Sequence, residues 1–311
     1  MTAAPDDVRM TFGEHLEELR RRLMRGILAF AVAFAAAFAF QDSLMEFFTR
    51  PYERARASLN AKWAEEWRAR PPPEHPQQRL IDFLAARVAE SGRLTDEQKA
   101  ELTRLQQHEW RDQPPVLAKL QAVGSLETFS AYMLECLLAA LIIAAPVLLW
   151  ELWRFVAEGL YSNEKRLVGR VLPFSIALFF TGLAFGYFVL AELSVTFLVG
   201  YGDAQFVSPQ VAIGSYLGLL FLLLLVMGLV FQIPLVMAVL ANTGLVGPEF
   251  YKGKRRHFVL AIFIFAAIIT PPDYVSQILV AGPMLVLFEI GILLARSAAK
   301  LRARRQVEPG T

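Results

Sequence analysis

Cysteine occurs once in the 311 residues, at Cys136, and histidine four times, at His15, His75, His108 and His257. A lone cysteine cannot close an internal disulfide, and nothing here has metal-ligand spacing, so neither a disulfide scaffold nor a metal centre is expected. Cys136 reads as a small packing residue in an apolar run. Hydrolytic signatures are missing as well: there is no HExxH, no GxSxG, and no Ser–Lys or paired-Asp arrangement inside an apolar segment, while all four histidines fall outside those segments. No enzyme and no cofactor are expected. Charge is scarce, at 19% of residues, and nearly balanced at +2, so net charge singles out no partner and gives no reason to expect nucleic acid.

Apolar residues, by contrast, make up 55% of the chain, and the mean hydropathy is +0.41. Those values lie between a soluble domain and a compact multi-span membrane protein, as expected where one polar insert dilutes the rest. The fold class predicted is an all-α membrane protein with six transmembrane helices, the last two short. Both termini are expected to be cytoplasmic, and a long helical insert to fill the first outer loop.

Residues 14–23, EHLEELRRRL, organise the rest. Leu16, Leu19 and Leu23 share one helical stripe, so an amphipathic helix at a membrane surface is expected. Locally, Glu17 can pair with Arg21 and Glu18 with Arg22 at i, i+4, whereas Glu14 and Glu18 form a like-charge pair at the same spacing. Carboxylates gathered among arginines at the mouth of a membrane protein could also accept a partner's guanidinium. The apolar run at 23–40 superficially matches a secretory signal. Its 18 residues exceed the usual ~7–15, however, and five acids precede it, so an uncleaved span is expected.

The predicted order is a cytoplasmic leader at 1–22, a span at 23–45, an insert at 46–124, a span at 126–153, a cytoplasmic loop at 154–167 and a span at 168–191. An outer loop at 192–213, a span at 214–240, a cytoplasmic loop at 241–257, spans at 258–272 and 274–295, and a tail at 296–311 complete it. Turn signals punctuate the insert at Pro51, Pro71 to Pro73, Pro76, Pro114 and Pro115. Within it, 78–91 reads as a helix ended by Gly92, and Thr95 with Gln98 reads as a capping box opening a second one. Pro146 should kink the second span. Residues 258–272 and 274–288 are each 15 long between charges, roughly 22 Å of helix against a hydrocarbon core of about 30 Å. Lys and Arg number five in the leader, four around the second-to-third turn, four before the fifth span and five in the tail, but none at 192–215 or 271–277. The positive-inside rule then puts both termini in the cytoplasm.

Four stretches carry a family resemblance: HLEELRRRL at 15–23, FVAEGLYSNEKRL at 155–167, ITPPDYVSQ at 269–277 and LFEIG at 287–291. In this order they resemble TatC, the multi-span receptor subunit of the twin-arginine protein translocase, over nearly all of the chain outside the insert. The resemblance implies a bacterial inner-membrane receptor for folded proteins whose N-terminal signal carries two adjacent arginines. It further implies single-span TatA- and TatB-like partners, with self-association possible within the bilayer. Carried over residue by residue, it assigns signal binding to Glu18 and Glu164, with His15, Leu19, Arg20, Phe155 and Tyr161 around them. It assigns partner contact to Gln232, Thr270, Pro271, Pro272, Asp273 and Gln277, and Pro51 matches a family proline; Pro51, Pro146 and Glu289 are read as structural. Gln232 stands where family members often carry glutamate, and an internal helix contact is its competing reading. Capping of two short helices competes for Thr270 and Gln277, and Glu289, near the cytoplasmic end of the last span, reads as paired internally rather than functional. Glu158 replaces the family's usual proline, and nothing about the long insert carries over. From a different class, a secondary transporter or channel remains open, because Glu135, Gln232, Asp273 and Glu289 could line an ion path, although no inverted repeat is evident.

Overall fold

The computed structural model of the chain describes residues 12–69, 83, 85–87, 95, 97–100, 104, 116–158, 162–200, 210–269 and 274–307. Among these there is no strand; a lone parallel bridge joins Gln121 to Ala212. The helices are α1 (Phe12–Ala39), α2 (Gln41–Ala69), α3 (Glu127–Glu158), α4 (Ser162–Phe185), a π-helical turn (Gly186–Leu190), α5 (Ala191–Gly200), α6 (Ile213–Val230), α7 (Ile233–Thr243), α8 (Pro248–Gly253), α9 (Arg255–Ile269) and α10 (Tyr274–Val307). Two compact units emerge, one from Met1–Ala55, Lys119–Tyr201 and Gln210–Thr311, the other from Arg56–Ala118 and Gly202–Pro209.

Five stretches of the described residues are long and apolar enough to cross a membrane: Leu16–Ala39, Glu127–Glu158, Val171–Gly200, Ile213–Thr243 and Gln277–Arg302. The sixth expected span corresponds to α9, whose 15 residues reach roughly 22 Å. Its companion is not short. Helix α10 runs 34 residues, through the charges that bounded the expected segment, because backbone hydrogen bonding does not stop at Glu289 or Arg296. Nor is there a boundary between leader and first span, since α1 passes unbroken through both.

Within the first unit, α1 packs on α3, where the small side chains Ala33, Ala140 and Ala144 bring the two helices close between Phe30, Phe34 and Leu148. Glycines set the approach of α4 to α6. A Cβ on Gly182 would stand 2.5 Å from the Met227 carbonyl oxygen, and one on Gly228 2.7 Å from the Phe179 ring. Gly186, one turn on, opens the π turn against Leu224. The larger core joins α6, α7, α9 and α10 around Met227, Met237, Ala266, Ala281 and Phe288.

Pro51 does not end a helix, as its turn signal suggested; it lies inside α2. A proline leaves the carbonyl four residues back without its usual donor. That carbonyl, on Phe47, accepts the Tyr187 hydroxyl instead, and the neighbouring Phe48 carbonyl accepts the Tyr216 hydroxyl at 2.8 Å. The fourth span is broken, with Phe231 and Gln232 in a turn between α6 and α7, because Pro234 offers no N–H to continue the ladder. Helix α7 ends on Gly244 at φ 74°, the left-handed cap that glycine adopts freely. The Arg302 guanidinium packs against the open side of that glycine, a cation at a helix C-terminus.

In the second unit, the Asn60 side chain holds the backbone of buried Leu117 from both sides, accepting from its N–H at 2.7 Å and donating to its carbonyl at 3.4 Å. The capping box forms as read: Thr95 N–H donates to Gln98 Oε1 at 3.1 Å, and Gln98 N–H to Thr95 Oγ1 at 3.4 Å. The rest of 78–94 and 101–115 lies largely outside the described residues.

Candidate functional site

Arg22, one turn beyond Glu18 on α1, is only 5% exposed although it carries a full charge. Burial of a guanidinium is tolerated only among acceptors, and three carboxylates from two helices supply them. Glu18 pairs with it along α1; Glu151 Oε2 stands 3.3 Å from Nη1, and Glu158 Oε1 3.4 Å from Nη2. Positions 151 and 158 are seven apart, so both acids lie on the same face of α3, toward α1. Arg21 reaches Glu18 at 3.9 Å and Arg25 reaches Glu151 at 3.8 Å, and each of these outer arginines is more than half exposed. The Nε of Arg22 is buried with no acceptor among the described residues.

A groove of about 330 Å³ runs beside this cluster. Leu19, Leu23, Ile27 and Phe30 line it from α1, and Leu148, Leu152 and Phe155 from α3, with Arg22 and Glu151 in its wall. Gly26 lets α3 approach there, since a Cβ on it would meet Leu148 at 3.1 Å.

A profile of the family described as "Sec-independent protein translocase protein (TatC)" matches residues 14–283, leader and cluster included. The chain belongs to the TatC family. A TatC of Desulforapulum autotrophicum is 41% identical over 182 residues, covering 58% of this chain and 67% of that one. A TatC of Koribacter versatilis is 29% identical over 305 residues, covering 96% and 90%. Among solved structures, a crystal structure of the twin-arginine translocase receptor TatC superposes with a TM-score of 0.65 at 28% identity, covering 92% of this chain and 99% of that one. Its relatives are thus named as components of a protein translocase, a transport role and not a catalytic one.

Of the TatC-like signal-site residues, Leu19 and Phe155 line one groove, and Glu18 sits beside it in the ion cluster. Arg20 is exposed on α1. Glu164 belongs to the first turn of α4, and His15 to the first turn of α1, but their side chains lie outside the described residues, as does Tyr161 altogether. Glu151 was not singled out from sequence. Its signal was there: an acid inside an apolar run, two turns before Glu158 on the same helical face.

The residues assigned to partner contact separate. Gln232 is 9% exposed and turns inward, its Oε1 accepting the Ser175 hydroxyl at 2.5 Å and its Nε2 donating to the Ser175 carbonyl at 3.1 Å. Ser175 in turn accepts the Trp153 indole N–H at 2.8 Å, so the amide makes the internal contact that was its competing reading. Gln277 donates to the Phe263 carbonyl at 3.0 Å and so ties α10 to α9. Thr270, Pro271, Pro272 and Asp273 lie outside the described residues. Glu289 pairs with Arg255 at 2.6 Å, and Pro146 sits within an α3 that continues through it. Glu135 is fully buried on α3.

Proposed function

We propose that the chain is the receptor subunit of a twin-arginine translocase in a bacterial inner membrane, with six spans and both termini cytoplasmic. It binds twin-arginine signals of folded proteins at the cytoplasmic face and recruits single-span TatA- and TatB-like subunits to the turn at Thr270 to Asp273 and Gln277. The observation that carries this reading is Glu18, a carboxylate held at the leader end of the bundle among acids from a second helix. Arginine presents a planar fork that a carboxylate accepts through two parallel hydrogen bonds, which the rounder ammonium of lysine cannot match. Such selectivity for an arginine pair is what a twin-arginine receptor requires. Glu164, at the start of α4, supplies the second acid in this reading. Support for the orientation comes from the basic residues concentrated in the leader, the two alternate loops and the tail.

Glu18→Ala and Glu164→Ala are each expected to weaken binding of a twin-arginine signal peptide roughly tenfold, about the 1.4 kcal/mol of one charge-assisted bond, while the protein still inserts in the membrane. Titration of a fluorescent signal peptide against the purified variants reads this directly. Wild-type affinity in the double variant refutes the assignment.

A further inference from the structure

The stretch from Gly244 to His257 runs antiparallel to the last turns of α10. The Arg302 guanidinium packs against Gly244, Tyr251 shares a core with Ile292 and Ala295, and Arg255 pairs with Glu289. Cations accumulate where the two meet. Lys252, Lys254, Arg255 and Arg256 come from α8 and its junction with α9, and Arg296, Lys300 and Arg302 from α10, against two acids, Glu249 and Glu289. Both acids are engaged, Glu249 by Lys252 at 3.6 Å and Glu289 by Arg255 at 2.6 Å. The other five cations have no carboxylate partner among the described residues. Two buried donors are unmet as well. The Tyr251 hydroxyl, on a residue 4% exposed, and the Arg296 Nε–H have no acceptor among the described residues. Burial pushes the Tyr251 phenol above its usual range, so the group keeps its hydrogen and remains a donor. An unmet buried donor is destabilising until an acceptor reaches it.

We infer that α8, the start of α9 and the last turns of α10 form a binding site for an anionic phospholipid headgroup, with Arg296 and Lys300 holding its phosphodiester and Tyr251 as a further donor. The unesterified oxygens of a phosphodiester are acceptors for guanidinium, ammonium and phenol alike. Arg296 and Lys300 are one turn apart on α10, so both reach the same side. The apolar surroundings select a lipid over a soluble polyanion. Leu245, Phe250, Leu260 and Leu301, on the same segments as the cations, are each more than half exposed. Acyl chains cover such side chains, whereas a nucleic acid or an acidic protein leaves them bare. Charge separates the lipids in turn, because a basic pocket between helix ends suits a net anionic headgroup over a zwitterionic one. The positive-inside rule accounts for cations at this end during insertion, but it asks nothing of Tyr251 or of a buried Nε. The site lies apart from the cluster on α1 and α3, and it goes beyond the receptor reading without depending on it.

The test uses the full chain purified in a neutral detergent, its melting temperature followed as phosphatidylglycerol or phosphatidylcholine is added. Phosphatidylglycerol is expected to raise it at a concentration roughly tenfold below the phosphatidylcholine that does the same. Arg296→Gln with Lys300→Gln is expected to remove most of that preference. Arg50→Gln with Lys62→Gln, which takes the same charge from exposed positions on α2, is expected to keep it. Tyr251→Phe gives the sharper sign. Without lipid it is expected to melt no lower than wild type, since an unmet hydroxyl is lost, while its gain from phosphatidylglycerol is the smaller. If the α10 pair fails to fold, Lys254→Gln with Arg256→Gln, at exposed positions, carries the same comparison. Wild type that does not prefer the anionic lipid overturns the site. So does an equal loss in the α2 variant, which makes the effect one of net charge, and so does equal stabilisation by inorganic phosphate or heparin, which makes it a site for free anions. A Tyr251→Phe variant that gains as much from phosphatidylglycerol as wild type takes away the donor that sets a bound headgroup apart from charges needed only for insertion, and it overturns the inference as well.

Discussion

Ser175 shows how much one hydroxyl can hold in an apolar bundle. It stands between the Trp153 indole and the Gln232 amide, joining α3, α4 and the break between α6 and α7. Hydrogen bonds between membrane helices are worth about 0.6 kcal/mol on average and up to ~1.7. Ser175→Ala breaks two and leaves both partners buried, so a loss of about 1–2 kcal/mol is expected, read as a lower melting temperature in detergent. Trp153→Phe, which removes one donor, should cost less. Sequence reasoning found residues of this kind unevenly. Gln232 stood out because an amide in an apolar run needs a partner, but which partner is a matter of helix rotation that no local pattern encodes. The pairing of Glu18 with Arg22 was legible as an i, i+4 spacing. That Arg22 would be buried was not, because burial depends on acids 129 and 136 residues away.

Helices obeyed apolar patterning and ignored several of the signals placed to stop them. Pro51 lies inside a helix, and the charges at Glu289 and Arg296 do not shorten α10. At Pro51 the reason is visible: the Tyr187 hydroxyl from the π turn takes over the Phe47 carbonyl that proline leaves without its donor, so continuing the helix does not leave it unmet. Only at Pro234, where the chain already turns at Gln232, does proline mark a real break. Glycine proved the better guide to packing, since Gly182, Gly186 and Gly228 fix how near α4 and α6 come. Gly182→Val must push α4 off the Met227 carbonyl. A cost of about 1–3 kcal/mol is expected, the range for overpacking a tight interface, and limited proteolysis in membranes should show increased cleavage.

At the scale of the molecule, the ion pairs and groove lining described above come from α1 and α3 within the first unit. Deleting 56–111, which belongs to the second unit, is therefore expected to leave peptide affinity within about twofold, a change below ~0.5 kcal/mol, as measured by the same titration. A loss of tenfold or more would show that the insert shapes the site. The spacing between the cluster's two helices also bears on how the protein is made. Chains emerge at roughly 5–20 residues per second, so the 129 residues separating Arg22 from Glu151 correspond to roughly 6–26 s of synthesis. Throughout that delay the nascent first helix must wait in the bilayer for its second-helix acids. Glu18, delivered in the same turn, is the neutralising neighbour already beside Arg22 when the wait begins.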